Sequence, residues 1–141
     1  MKKTVLLLCL LAGTLISMAQ ETESAKFMFL VHSDKNQMTE MSAQHQKEHI
    51  QKVGSYIGDL AKSGKLIDAQ PLAMEGELIS AKDGKVSQKK LTIANQAIAG
   101  YYVVKAKDLQ EAIAIAKADP RFEENGWKLE VRPIKQVSGI N

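Results

Sequence analysis

An α+β sandwich, with an antiparallel sheet carrying helices on one face, is the fold that three observations in this 141-residue sequence predict. Residues 27–31 and 98–106 are apolar at both alternating sets of positions, the pattern of strands buried on both faces. Residues 40–63 and a shorter stretch after Asp108 have helical spacing. The order is strand, helix, strand with a hairpin, strand, helix, strand. That is the split βαβ arrangement of a ferredoxin-like α+β sandwich with an extra hairpin.

Residues 1–19 read as an address. Met1-Lys2-Lys3 is a positive start, residues 5–16 are an apolar run, and Ser17-Met18-Ala19 places small residues before a cut at Gln20. These are the parts of a cleaved signal peptide, and the run is shorter than the roughly 20 residues a bilayer span needs. Cys9 lies inside the apolar run after Leu6-Leu7-Leu8, which argues against lipidation. It is the only cysteine, so the mature chain has no disulfide. An exported protein, periplasmic or secreted, is expected, with no membrane span once the leader is gone.

Composition narrows the class further. Hydrophobic residues make up 45% and charged residues 25%, an ordinary globular mix that excludes a disordered tail, a fibre and a disulfide scaffold. The net charge of +3 includes Lys2 and Lys3, so the mature chain is close to neutral. No basic stripe marks a nucleic-acid partner.

Within the mature chain, residues 20–25 are a polar lead-in, followed by the domain at 26–137. Strand one covers residues 27–31. In the first helix Ile50, Val53, Ile57, Leu60 and Ala61 share one stripe, and Gly64 supplies the stop. Residues 66–80 read as one or two strands carrying Pro71, and Asp83-Gly84 as a hairpin turn, because glycine accepts the positive φ of such turns. Residues 85–93 return as the partner strand, and 98–106 form the second doubly buried strand. Asp108 with Glu111 three residues on is a variant capping box opening the second helix. Leu109, Ala112, Ile113 and Ala116 form that helix's buried face, and Pro120 ends it. Trp127, Leu129 and Val131 alternate with Lys128, Glu130 and Arg132 in a final strand. Pro71 and Pro133 suit edge strands. Two helices cover one face of such a sheet. The apolar second face of the central strands needs a cover, most simply the same face of another copy. A homodimeric α+β barrel is therefore expected.

The candidate chemistry is carried by few residues. Asp119 sits where the second helix ends, a position at which the dipole disfavours a carboxylate. Unpaired there, it would have a raised pKa suited to acid–base work. The alternative is that Asp119-Pro120 simply ends the helix. His49 lies about 60° from the centre of the first helix's apolar stripe at 100° per residue, with His45 one turn before it and Tyr56 two turns after, on the same flank. That row either lines a cleft as ligand-binding residues or is a solvated polar flank. His45 and His49 also have the i, i+4 spacing of two metal ligands. His32-Ser33-Asp34, at the end of the first strand, could supply a third if the fold brings it close, and His32 stands with His45 and Tyr56 as a candidate ligand-binding residue; no metal site is assigned. The methionines read as core filling. Lys82, Lys85, Lys89 and Lys90 make the hairpin a solvated positive arm that protects a strand edge. No nucleotide loop and no Ser or Cys nucleophile constellation is present, and no cofactor is expected.

Several stretches resemble the YCII-related (YciI-like) family. Residues 64–72, Gly-Lys-Leu-Ile-Asp-Ala-Gln-Pro-Leu, are similar to its "G-x-L-L-x-A-G-P-L" stretch, and Ile98-Ala99-Gly100-Tyr101-Tyr102 to its "G-G-Y-Y" strand. Asp108-Leu109 through Ala112-Ile113, Ala118-Asp119-Pro120 and Val131-Arg132-Pro133-Ile134 resemble the closing helix, the "A-D-P" and the final "V-R-P". Gln88-Lys89-Lys90-Leu91 stands where one subgroup carries Asp-Gly-Pro-Phe. The resemblance implies a dimerising ferredoxin-like fold. It also implies a His/Asp pair with its Asp at Asp119 and its helical His nearer Val53, in a family some of whose members process small cyclic or chlorinated aromatic metabolites. The expected function is small-molecule lyase- or isomerase-like chemistry by Asp119 and His49 in a dimer cleft. The alternative is a non-catalytic domain that holds a small ligand there.

Overall fold

The computed structural model describes residues 24–35 and 37–139. The expected signal peptide and most of the lead-in lie outside the described residues. The elements are β1 (Ala25–Asp34), α1 (Gln37–Glu40), α2 (Ala43–Lys62), β2 (Leu66–Pro71), β3 (Glu77–Lys82), β4 (Lys85–Lys90), β5 (Gln96–Ala106), α3 (Leu109–Lys117), a 3₁₀ turn (Pro120–Glu123) and β6 (Trp127–Pro133).

The main sheet has the order β2-β5-β1-β6, with every neighbouring pair antiparallel. The two strands with apolar residues on both faces are thus the central ones, and the proline-bearing strands are the edges. Pro71 and Pro133 each close their strand, where a missing N–H breaks no interior ladder. The fold is the expected ferredoxin-like α+β type.

Phe27, Phe29, Val31, Tyr102, Val104 and Ala106 turn one face of the central strands toward the helices, where Leu60, Ala112, Ile115 and Ala116 meet them. Phe29 and Val104 are completely buried, so shortening either would lose transfer free energy and leave a cavity. On the other face, Met28, Leu30, Tyr101 and Val103 are half-buried and Ile98 is exposed.

Local signals explain the boundaries. The long helical stretch is divided: Ser42 lies extended between α1 and α2, and its hydroxyl accepts the His45 N–H at 3.2 Å, the role of an N-cap. At its other end Gly64 has φ of 71°, the left-handed region where glycine ends helices at little cost. Asp108 caps α3 by accepting the Glu111 N–H at 2.8 Å. Glu111 reaches back to the Lys107 N–H instead of the cap's own, a one-residue variation on the capping box. Asp83 and Gly84 have φ of 51° and 73°, as a two-residue hairpin turn of the primed type requires.

The expectation for the basic arm needs a correction. β3 and β4 pair only with each other, and every residue of both strands is exposed. The arm therefore covers no edge of the main sheet; it is a separate ribbon projecting from the end of β2.

Candidate functional site

A cavity of about 490 Å³ lies between α2 and the helix-side face of the sheet, walled by residues that include Val31, Val53, Ile57, Tyr102 and Trp127. Its size is that of a small-molecule site. The space exists because facing positions carry small residues: Gly54 on α2, Ala69 on β2 and Ala99 on β5. A Cβ built on Gly54 meets nothing within 4 Å. The wall is mostly apolar; the residues with polar side chains in it are His49, Gln70, Tyr102 and Arg121.

His49 is 5% exposed, so it belongs to the interior and not to a solvated flank. Its ring stacks on Trp127 with centroids 5.0 Å apart, which explains how a position off the apolar stripe becomes buried. Its Nδ1 lies 3.1 and 3.0 Å from Glu124 Oε1 and Oε2. An ionised carboxylate only accepts, so Nδ1 carries the proton and donates. Nε2 has no hydrogen-bond partner among the described residues and stays accessible in the cavity wall.

Glu124 gathers two further donors, His45 Nε2 and the Trp127 indole N–H, each at 3.1 Å. Burial pushes its carboxyl up, but the hydrogen bonds from His49 and Trp127 outweigh this and hold it below the ordinary carboxylate value. Sequence reading missed Glu124, which lies 75 positions from His49 in a segment with no periodicity.

Asp119 occupies a different place from the one expected. It follows α3's C-cap, Ala118, but it is the N-cap of the 3₁₀ turn and accepts the Arg121 N–H at 2.9 Å. The nearest exposed backbone N–H groups therefore point toward the carboxylate and favour it. Nor is it unpaired. Its Oδ2 accepts from Arg121 Nη1 at 2.9 Å and from the Tyr102 hydroxyl at 3.2 Å, and Arg121 Nη1 also donates to the Tyr102 oxygen. Asp119 is 2% exposed and outside the cavity lining. His49 and Asp119 share no hydrogen bond. Trp127 lies between their networks, with the Arg121 guanidinium carbon 5.6 Å from its ring and His49 stacked on it.

The other candidates disperse. His45 reaches Glu124 from a half-exposed position and borders a more open hollow beside the cavity. Tyr56 turns away from the cavity to donate to the Ile115 carbonyl at 2.6 Å. Burial pushes its hydroxyl, and that of Tyr102, above the usual phenol range. His32 lies on the sheet's open face, its Nε2 3.1 Å from Glu130, so it is no third ligand for His45 and His49. Among the described residues, no group of three or more His, Cys, Asp and Glu is arranged to hold a metal ion. No helix among them is long and apolar enough to cross a membrane.

Comparison with curated proteins finds no match. The model of the YCII-related domain matches residues 25–138, which is β1 through the segment after β6. The order of strands, the segment carrying Asp119 and the match along nearly all of the described chain agree: this protein belongs to the YCII-related domain family.

Proposed function

We propose that the protein performs acid–base chemistry on a small, largely apolar molecule, with His49 as the residue that moves the proton. The observation that carries this is one hydrogen-bond chain. Glu124 holds the imidazole by Nδ1, and Nε2 is left as a lone pair in the wall of an apolar cavity. A carboxylate that fixes the tautomer also stabilises the imidazolium formed when Nε2 takes a proton. The apolar wall keeps competing water away and strengthens that interaction. Lyase- or isomerase-like steps, in which a proton leaves carbon or oxygen and returns elsewhere, need only such a group and no cofactor. In this reading Asp119 acts through Arg121, which it holds against the cavity. Tyr102, its hydroxyl kept protonated, joins that clamp.

The open face of the sheet is proposed to close against a second copy, forming an α+β barrel, and the chain to be exported after removal of residues 1–19. Half-buried Met28, Leu30 and Val103 beside exposed Ile98 support the first point. The sequence of the leader supports the second.

The test is a screen of small cyclic carbonyl, lactone and phenol compounds for deuterium uptake from D₂O by proton NMR. The mature wild-type protein is compared with His49→Gln. Exchange that falls by at least about a hundredfold in the variant supports proton transfer at His49. Compounds that bind and never exchange, with the variant behaving identically, support the non-catalytic binding domain instead.

A further inference from the structure

The β3–β4 arm lacks what a hairpin needs to persist in water. Two strands by themselves are marginally stable, and β3 and β4 pair only with each other, with every residue of both exposed. Yet the arm is amphipathic. Its register sets Ala81 opposite Val86 and Ile79 opposite Gln88, so Ile79, Ala81 and Val86 share one face. Ser80 and Ser87, their hydroxyls 2.8 Å apart, lie on the other face beside Lys82, Lys85 and Lys89. Val86, 74% exposed, is the most exposed large apolar side chain among the described residues, and six of the twelve that are exposed fall between Leu72 and Leu91. Apolar surface concentrated in this way marks an interaction site.

Charge points to a second copy as the partner. Lys82 and Lys85 flank the turn of the arm, and neither has an ion pair among the described residues. The complementary surface is on this same chain. The open hollow beside the cavity is lined by Asp34, Glu40, Glu123 and Glu124 against one lysine, Lys52. Asp34 and Glu40 likewise have no ion pair among the described residues. The arm follows β2 and the hollow lies beside the start of β6, and these strands are the two edges of the sheet. Both features stand at one end of it: Pro71 is opposite Gly100, Ile98 opposite His32, and Ser33 opposite Trp127. When two such sheets close face to face about a twofold axis parallel to the strands, that end is shared, and β2 of each copy lies beside β6 of the other. Each arm then stands next to the other copy's hollow.

Resting on the reading that the sheet's open face closes against a second copy, we propose that the arm is a clasp between the two subunits. Ile79, Ala81 and Val86 lie on the partner subunit, and Lys82 and Lys85 extend their aliphatic stems past the turn to reach the partner's Asp34 and Glu40. Each clasp covers the hollow that Glu124 lines, so the second copy completes the solvent side of the carboxylate that holds His49.

The test uses the mature protein as an equal mixture of nitrogen-14 and nitrogen-15 chains, incubated until native mass spectrometry shows mixed dimers. A carbodiimide then joins lysines to carboxylates that touch, and the digested products are read by mass. Cross-links from Lys82 or Lys85 to Asp34, Glu40 or Glu123 that combine one light and one heavy peptide are expected. The arm is exposed, so Lys82→Glu/Lys85→Glu folds; its dimer dissociation constant in sedimentation velocity is expected to rise at least about tenfold, and adding Asp34→Lys/Glu40→Lys to the same chain to restore it. Mixed dimers without light–heavy cross-links between arm and hollow, or a dimer indifferent to the charge reversal, overturn the clasp and leave the barrel standing. Monomers alone at micromolar concentration overturn both.

Discussion

Replacing Asp119 by alanine is expected to be among the most destabilising changes in the protein, and the structure shows why. The side chain is fully buried and receives three donors: the Arg121 N–H, Arg121 Nη1 and the Tyr102 hydroxyl. Alanine removes the cap of the 3₁₀ turn, worth about 1 kcal/mol. It also leaves a guanidinium with little access to water and no counter-charge, a loss of about 3–5 kcal/mol for one partner of a buried pair. The second effect dominates. At roughly 4 °C per kcal/mol for a domain of this size, Tm should fall by about 12–20 °C. Differential scanning calorimetry at pH 7 measures it. The double variant Asp119→Ala/Arg121→Met removes both charges and should recover more than half of the loss, since the stranded guanidinium is gone. A single-variant loss under about 1 kcal/mol would refute the reasoning, as would a double variant no more stable than Asp119→Ala. Asp119 would then be a solvated helix end.

Four further outcomes are expected. Gly54→Ala should raise stability by about 0.5–1 kcal/mol in urea titration, because α2 gains helix propensity and the new methyl group has open space. Gly100→Ala should destabilise by about 1–3 kcal/mol in urea titration, because its Cβ would stand 2.8 Å from the Gln70 carbonyl oxygen and force edge strand β2 away from β5. Glu124's depressed pKa means that its contribution to stability is fully present above its unfolded value of 4.5 and is lost as pH falls through the lower native value; the urea midpoint of Glu124→Gln should therefore change less than the wild type's below pH 4.5. Leu30→Asp, placing charges on the sheet's open face, should turn a dimer into a monomer in sedimentation velocity, and a wild type that sediments as a monomer contradicts the barrel.

The parts of the fold legible in the sequence were those with a strong periodic or stereochemical signal. Strands β1 and β5 announced their central position by being apolar at every step, and Asp83-Gly84 its hairpin by the φ it permits. Less legible was what depends on contacts distant in sequence. Pro120 read as a helix stop, which it is for α3, but a proline is equally suited to the first position of a new turn. Taking only the first meaning hid the 3₁₀ turn and reversed the apparent dipole at Asp119. His49 was visible as an oddity of the helix, while its burial depends on Trp127, 78 positions away on β6. Glu124 gave no signal of its own; recognising Asp119-Pro120 as a cap would have placed it just beyond a short turn, near enough to α2 to consider. The cavity is legible only in retrospect, because Gly54, Ala69 and Ala99 draw no notice until the fold sets them opposite one another.

In the proposed site Glu124 fixes His49 with Nδ1 protonated and Nε2 free in the cavity wall. Nitrogen-15 NMR of the His49 ring in the mature protein at pH 8 tests it most directly. A pyrrole-like Nδ1 bearing a proton and a pyridine-like Nε2 without one are expected, the Nε2 resonance moving when a compound that binds in the deuterium-exchange screen fills the cavity. A ring protonated at Nε2 and bare at Nδ1, or an Nε2 indifferent to that ligand while Trp127 responds, would contradict it.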